Sequence, residues 1–167
     1  MKFADSDRSA TMFYQKISND LKEAMKAGRE FEVGVLRMLS SAFHNKEIEK
    51  KGRGMEPVLS EDEAIEILTR EAKKRKEAFE VYQKAGRKDL AEKEAKELEI
   101  IKKYLPEQLS EEEVKKIIDT AIEKTGVKEI KDFGRVMAEA MKELKGKADA
   151  SIVSEIIKKK LEIRNEK

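Results

Sequence analysis

Apolar residues return every three or four positions along nearly the whole of this chain, and they almost never alternate. Phe13, Ile17, Leu21, Ala24 and Met25 share one helical face, and Phe31, Val35, Met38, Leu39, Ala42 and Phe43 share the next. A helix repeats every 3.6 residues and a strand every two, so this spacing commits the chain to helices and leaves nothing that reads as a strand. It also argues against disorder, which 43% charged residues would otherwise suggest. A disordered polyelectrolyte would be poor in Leu, Ile and Val and would lack a period. With 5% aromatics and no Trp, the expected product is a set of solvent-facing helices with narrow apolar stripes.

Punctuation divides the stripes. Gly28 ends the first, and Lys50 to Pro57 (K-K-G-R-G-M-E-P) has no period and reads as a mobile loop. Ser60 opens S-E-D-E, a capping box in which Ser60 and Glu63 satisfy each other's orphan backbone donors. Ile65, Leu68, Ala72, Phe79 and Tyr82 carry a third helix to Gly86, and Leu90, Leu98, Ile101 and Leu105 carry a fourth. Pro106 stops that helix, and Ser110 with Glu113 forms a second capping box. Three shorter helices follow, ending near Gly126, near Gly146 and beyond Leu161. The expected architecture is all-α, with no sheet: a flexible tail over 1–11, a four-helix domain over 12–105 and a three-helix domain over 106–167. On this reading Met12 is a candidate natural start.

The net charge of +2 supplies no overall field toward nucleic acid or membrane, so a basic partner surface has to be local. Residues 128–167 hold 11 Lys and Arg against 8 Asp and Glu, a tilt rather than a basic domain. Without cysteine there is no disulfide, thiolate metal site or cysteine nucleophile, which fits a reducing cytoplasm. No window approaches the ~20 apolar residues of a membrane span, and Met1 to Thr11 is too polar for a secretory signal.

The catalytic inventory is thin. His44 is the one histidine, with no serine-centred motif and no second histidine at ligand spacing, so it reads as a helix-surface or half-buried structural residue. Carboxylates alternate with lysines at helical spacing, as from Glu92 to Glu97, and exposed ion pairs account for them. No glycine-rich nucleotide loop is present. Neither catalytic residue, metal nor cofactor is expected. The densest basic run, Arg70-Glu71-Ala72-Lys73-Lys74-Arg75-Lys76, fans its cations around a helix instead of presenting one face. Met137 and Met141, four apart, read as core.

One stretch stands out. From Gly134 to Val153 come a helix, the basic turn Lys145-Gly146-Lys147 and a second helix opened by Asp149. The first amides of that second helix point back toward the turn, and such a corner can receive a phosphate.

Several ordered motifs then converge. L-x-R-E-x-K-K-R from Leu68 to Arg75, Y-x-x-A-x-R-x-D-L from Tyr82 to Leu90, Y-L-P-x-Q-L-S-E-E-E-V from Tyr104 to Val114, and G-R-V-M with K-G-K-A-D at Gly134 and Lys145 together resemble the YqeY family. The resemblance runs from about Met12 to Leu161. The family's C-terminal part is similar to the tail domain of the B subunit of glutamine-dependent aspartyl/glutamyl-tRNA amidotransferase, and a related module is appended to some glutaminyl-tRNA synthetases. The resemblance implies two helical domains, the second a tRNA-contacting appendage. A carbon-nitrogen ligase label with glutamine as amide donor also attaches to that family, but this chain matches only the tail and lacks the large catalytic part. Arg135, Lys142, Lys145 and Lys147 are the expected phosphate contacts, with Gly146 allowing close backbone approach. Ala150 departs from the glycine or proline of relatives, and all three suit a helix start. The expected partner is tRNA. The alternative is an adaptor that docks on a tRNA synthetase or amidotransferase.

Overall fold

The structure is a computed structural model that describes residues 6–165, with side chains for 12–163. Among these residues it holds seven α-helices and no strand: α1 (Ser6–Lys26), α2 (Glu30–Gly52), α3 (Glu61–Lys84), α4 (Lys88–Lys102), α5 (Glu111–Thr125), α6 (Phe133–Leu144) and α7 (Ala150–Asn165), with a 3-10 turn at Ile130–Asp132. The all-helical fold is therefore the one the apolar spacing predicts. The chain divides into two compact units, one ending at Leu105 and the other beginning at Pro106.

Helix α1 takes in Ser6 to Thr11, which the sequence reading assigned to a tail. That stretch has neither Gly nor Pro, so nothing in it stops a helix already required from Phe13 onward. Met1 to Asp5 lie outside the described residues. A second correction concerns the loop expected from Lys50: α2 continues to Gly52, and the connection to α3 is shorter. The cause is tertiary. The Lys50 ammonium donates to the Val58 carbonyl and, at 2.7 Å, to the Glu63 carboxylate, which also accepts the Ser60 amide of the capping box. Burial pushes the Glu63 carboxyl up, but the Lys50 ammonium and the Ser60 amide outweigh it and leave the group below its ordinary value.

In the first unit Ile17, Leu36, Leu39, Phe43, Leu68 and Ile101 lose almost all contact with water. Beyond Ala72, α3 buries no further residue completely and runs along α4 instead. There Arg75 takes the place of an apolar residue: its Nε lies 2.7 Å from Glu97 and 3.7 Å from Glu94, all three half-buried. Tyr104 closes the end of α4, its hydroxyl donating to Asp20 at 2.6 Å. Burial, reinforced by that carboxylate, pushes the phenol well above the ordinary tyrosine range.

The second unit is three helices around Val114, Ile118, Ile122, Val136, Leu144, Val153, Ile157 and Leu161. Met137 and Met141 pack against this core, as their spacing predicts. Gly126 ends α5 in the left-handed conformation at φ 64°, which a side chain would strain. Lys160 on α7 reaches Asp119 on α5 at 2.6 Å. A unit this small buries a low fraction of its surface, so each Leu or Ile, worth about 1.5–3 kcal/mol, is a large share of its stability.

Candidate functional site

Helix α6 stops at Leu144 because the chain must turn back to lay Val153, Ile157 and Leu161 on the same core. Gly146 makes the reversal at φ 74°. Around it three backbone donors are used internally. Lys145 donates to the Met141 carbonyl at 3.2 Å, Lys147 to Leu144 at 2.9 Å and Ala148 to Leu144 at 3.2 Å. Ser151 donates to the Asp149 carboxylate at 2.8 Å, so the start of α7 already holds an anion supplied by the protein.

Gly146 is buried, and its carbonyl accepts a 2.6 Å hydrogen bond from Gln108 Nε2, so that carbonyl serves the fold. One residue further on, the Leu109 amide donates to the Lys147 carbonyl at 2.9 Å. The segment before α5 thus pins both carbonyls of the Gly146-Lys147 pair. Sequence reasoning missed Gln108 in this role. A single exposed glutamine gives no periodic signal, and its partner lies 38 residues away.

What the corner offers outward is side-chain charge. Lys147 is exposed and Lys145 half-buried. Arg135 and Lys142, both exposed, are seven residues apart on α6, which puts them on one face about 10 Å apart. Glu139 shares that face, and its carboxylate pairs with Lys142, whose hydrogen bond holds the Glu139 carboxyl below its ordinary value. The Arg135 guanidinium reaches the Thr125 carbonyl at 3.4 Å. The structure therefore gathers Arg135 and Lys142 on one helix and Lys145 and Lys147 at its end.

Elsewhere the chemistry is structural. His44 is exposed, with Glu47 at 3.4 Å. In the basic run, Lys74 pairs with the buried Glu71 at 2.7 Å and Arg75 with the carboxylates of α4. A shallow open depression beside α3 and α4 is lined by Phe79, Ala95, Lys96, Leu98 and Glu99, without the convergent polar groups of a small-molecule site. Among the described residues no helix is long and apolar enough to cross a membrane, and no group of three His, Cys, Asp or Glu side chains could hold a metal ion.

Comparison with known proteins agrees with the motifs. A family model described as Yqey-like protein matches residues 14–161, and the chain belongs to the YqeY family. An uncharacterized protein of Schizosaccharomyces pombe is 33% identical over 94 residues, 56% of this chain and 72% of its own length. The protein named altered inheritance of mitochondria protein 41, mitochondrial, from Saccharomyces cerevisiae strain YJM789 is 31% identical over 133 residues, 75% of this chain and 69% of that one. The protein of the same name from Lachancea thermotolerans is 36% identical over 89 residues, and the match spans just under half of its length, 46%.

Proposed function

We propose that this chain is a non-catalytic accessory module that binds tRNA through the corner between α6 and α7, with Arg135, Lys142, Lys145 and Lys147 meeting backbone phosphates. The observation that carries the reading is the division of labour at the corner: the amides of Lys145, Lys147 and Ala148 bond back to α6, while the side chains of Arg135, Lys142 and Lys147 are exposed and that of Lys145 is half-exposed. A single phosphate held in a cage would call on amides, as at a glycine-rich loop. Ammonium groups on a fixed corner suit a polyanion whose phosphates are spread over distance and read by shape. Few exposed aromatics argue against stacking on single strands. The cytoplasm is the compartment we assign. The names of the fungal relatives put those proteins in mitochondria, which also hold tRNA.

The test is tRNA affinity measured as salt is raised, for the native chain and for Lys145→Ala/Lys147→Ala. Each phosphate neutralised contributes ~0.7–0.9 to the slope of log affinity against log salt, so losing two contacts should flatten it by roughly 1.4–1.8. An unchanged slope would remove the site. A second reading, an adaptor for a tRNA synthetase or amidotransferase, draws on Val81 at 63%, Ile152 at 46% and Ile163 at 61% exposure. It predicts a protein partner retained after nuclease treatment. Glutamine-dependent amide transfer by the purified chain is not expected.

A further inference from the structure

The two hydrogen bonds that hold the corner come from two uncharged residues, Gln108 and Leu109. Gln108 Nε2 donates to the Gly146 carbonyl at 2.6 Å and also lies 3.0 Å from the Pro106 carbonyl, while the Leu109 amide holds the Lys147 carbonyl at 2.9 Å. A primary amide has two N–H donors, so bridging both carbonyls fixes the Gln108 side chain itself. Removing that bridge frees the carbonyl of Gly146, the one residue of the corner with left-handed backbone freedom, and leaves the Leu109 amide to tie the turn to the segment before α5.

We infer that Gln108 is a positioning residue for RNA binding: it holds the Lys145-Gly146-Lys147 turn in the one geometry that presents both lysines to phosphates together. The inference rests on the tRNA-binding reading and adds to it an uncharged residue that touches no RNA. Preorganisation is where such a residue acts, because two cations on a loose turn must be ordered on binding and the ordering subtracts from affinity.

The distinguishing readout is again the salt slope. Gln108→Ala and the near-isosteric Gln108→Met remove no charge, yet both should flatten the slope toward that of Lys145→Ala/Lys147→Ala, with affinity falling several-fold. Added to the double lysine variant, Gln108→Ala should change nothing further, since its effect runs through the same two side chains. Amide exchange at Leu109 and Lys147 should speed up in both Gln108 variants while the protected amides of α5 and α7 keep their rates, which separates a loosened turn from a loosened unit. A native slope in both Gln108 variants, alongside a flattened one in the lysine variant, overturns the positioning role and leaves the binding site standing. A native slope in the lysine variant removes the site, and the positioning role falls with it.

Discussion

Asp149 tests whether the start of α7 is a capped end or a vacant anion site. Its carboxylate accepts the Ser151 amide at 2.8 Å, two residues on, the geometry of an N-cap. Asp149→Ala removes the acceptor and a negative charge from the positive end of the helix. Loss of such a cap costs about 1 kcal/mol, within a range of roughly 0.5–2. In a unit of this size 1 kcal/mol moves the midpoint by about 4–8 °C, and a calorimetric or far-ultraviolet circular dichroism melt resolves that in the transition that includes α7. Asp149→Asn separates the two effects, because asparagine caps as well as aspartate but is neutral. It should melt within about 1–3 °C of the native chain and, by removing one repelling charge beside the lysines, should raise tRNA affinity roughly two- to fivefold at low salt. An asparagine variant that melts as low as the alanine variant would refute capping by a side-chain acceptor. Native melting in both would show that α7 needs no cap there.

Leu144→Ala should cost about 2–5 kcal/mol, because the side chain is fully buried in a small core, and chemical denaturation should show the second unit unfolded or nearly so under native conditions. Lys50→Met should free the connection between α2 and α3, and trypsin should then cut after Arg53 several times faster than in the native chain. Tyr104 should ionise well above the ordinary tyrosine range, and Tyr104→Phe should abolish that late component of the absorbance titration. The sign follows from a folded-state value raised above the ordinary tyrosine value of about 10: the stabilisation is complete below about pH 10 and is lost as the pH climbs toward the raised value.

Local signals carried most of the fold. Ser60 with Glu63 and Ser110 with Glu113 form the two capping boxes their spacing predicts, since every bond involved lies within four residues. Gly126 ends its helix for an equally local reason. The misses share a distant partner. Lys50 lengthens α2 because Val58 and Glu63 wait for it, and nothing in the period around Lys50 says so. Arg75 did leave a trace: it falls at the gap in the stripe Leu68, Ala72, Phe79, a stripe position filled by a cation that needs carboxylates opposite. At the corner the lysines stand in the sequence, but the hold on the Gly146 and Lys147 carbonyls does not, because the Gln108 and Leu109 donors arrive from before α5.

That pinning sets an order in time. The bond between Gln108 and Gly146 closes a loop of 38 residues, so it cannot form until α5, the 3-10 turn and α6 have all been synthesised. At ~5–20 residues per second the ribosome needs about 2–8 s to supply that length. Throughout that interval the nascent chain carries the Gln108 segment without its mate, and α5 must wait for α6 and α7 to cover its apolar face. The lysines of the corner therefore acquire a fixed geometry only after α6 has been made, and a partial chain ending before Gly146 cannot make the bond that shapes them.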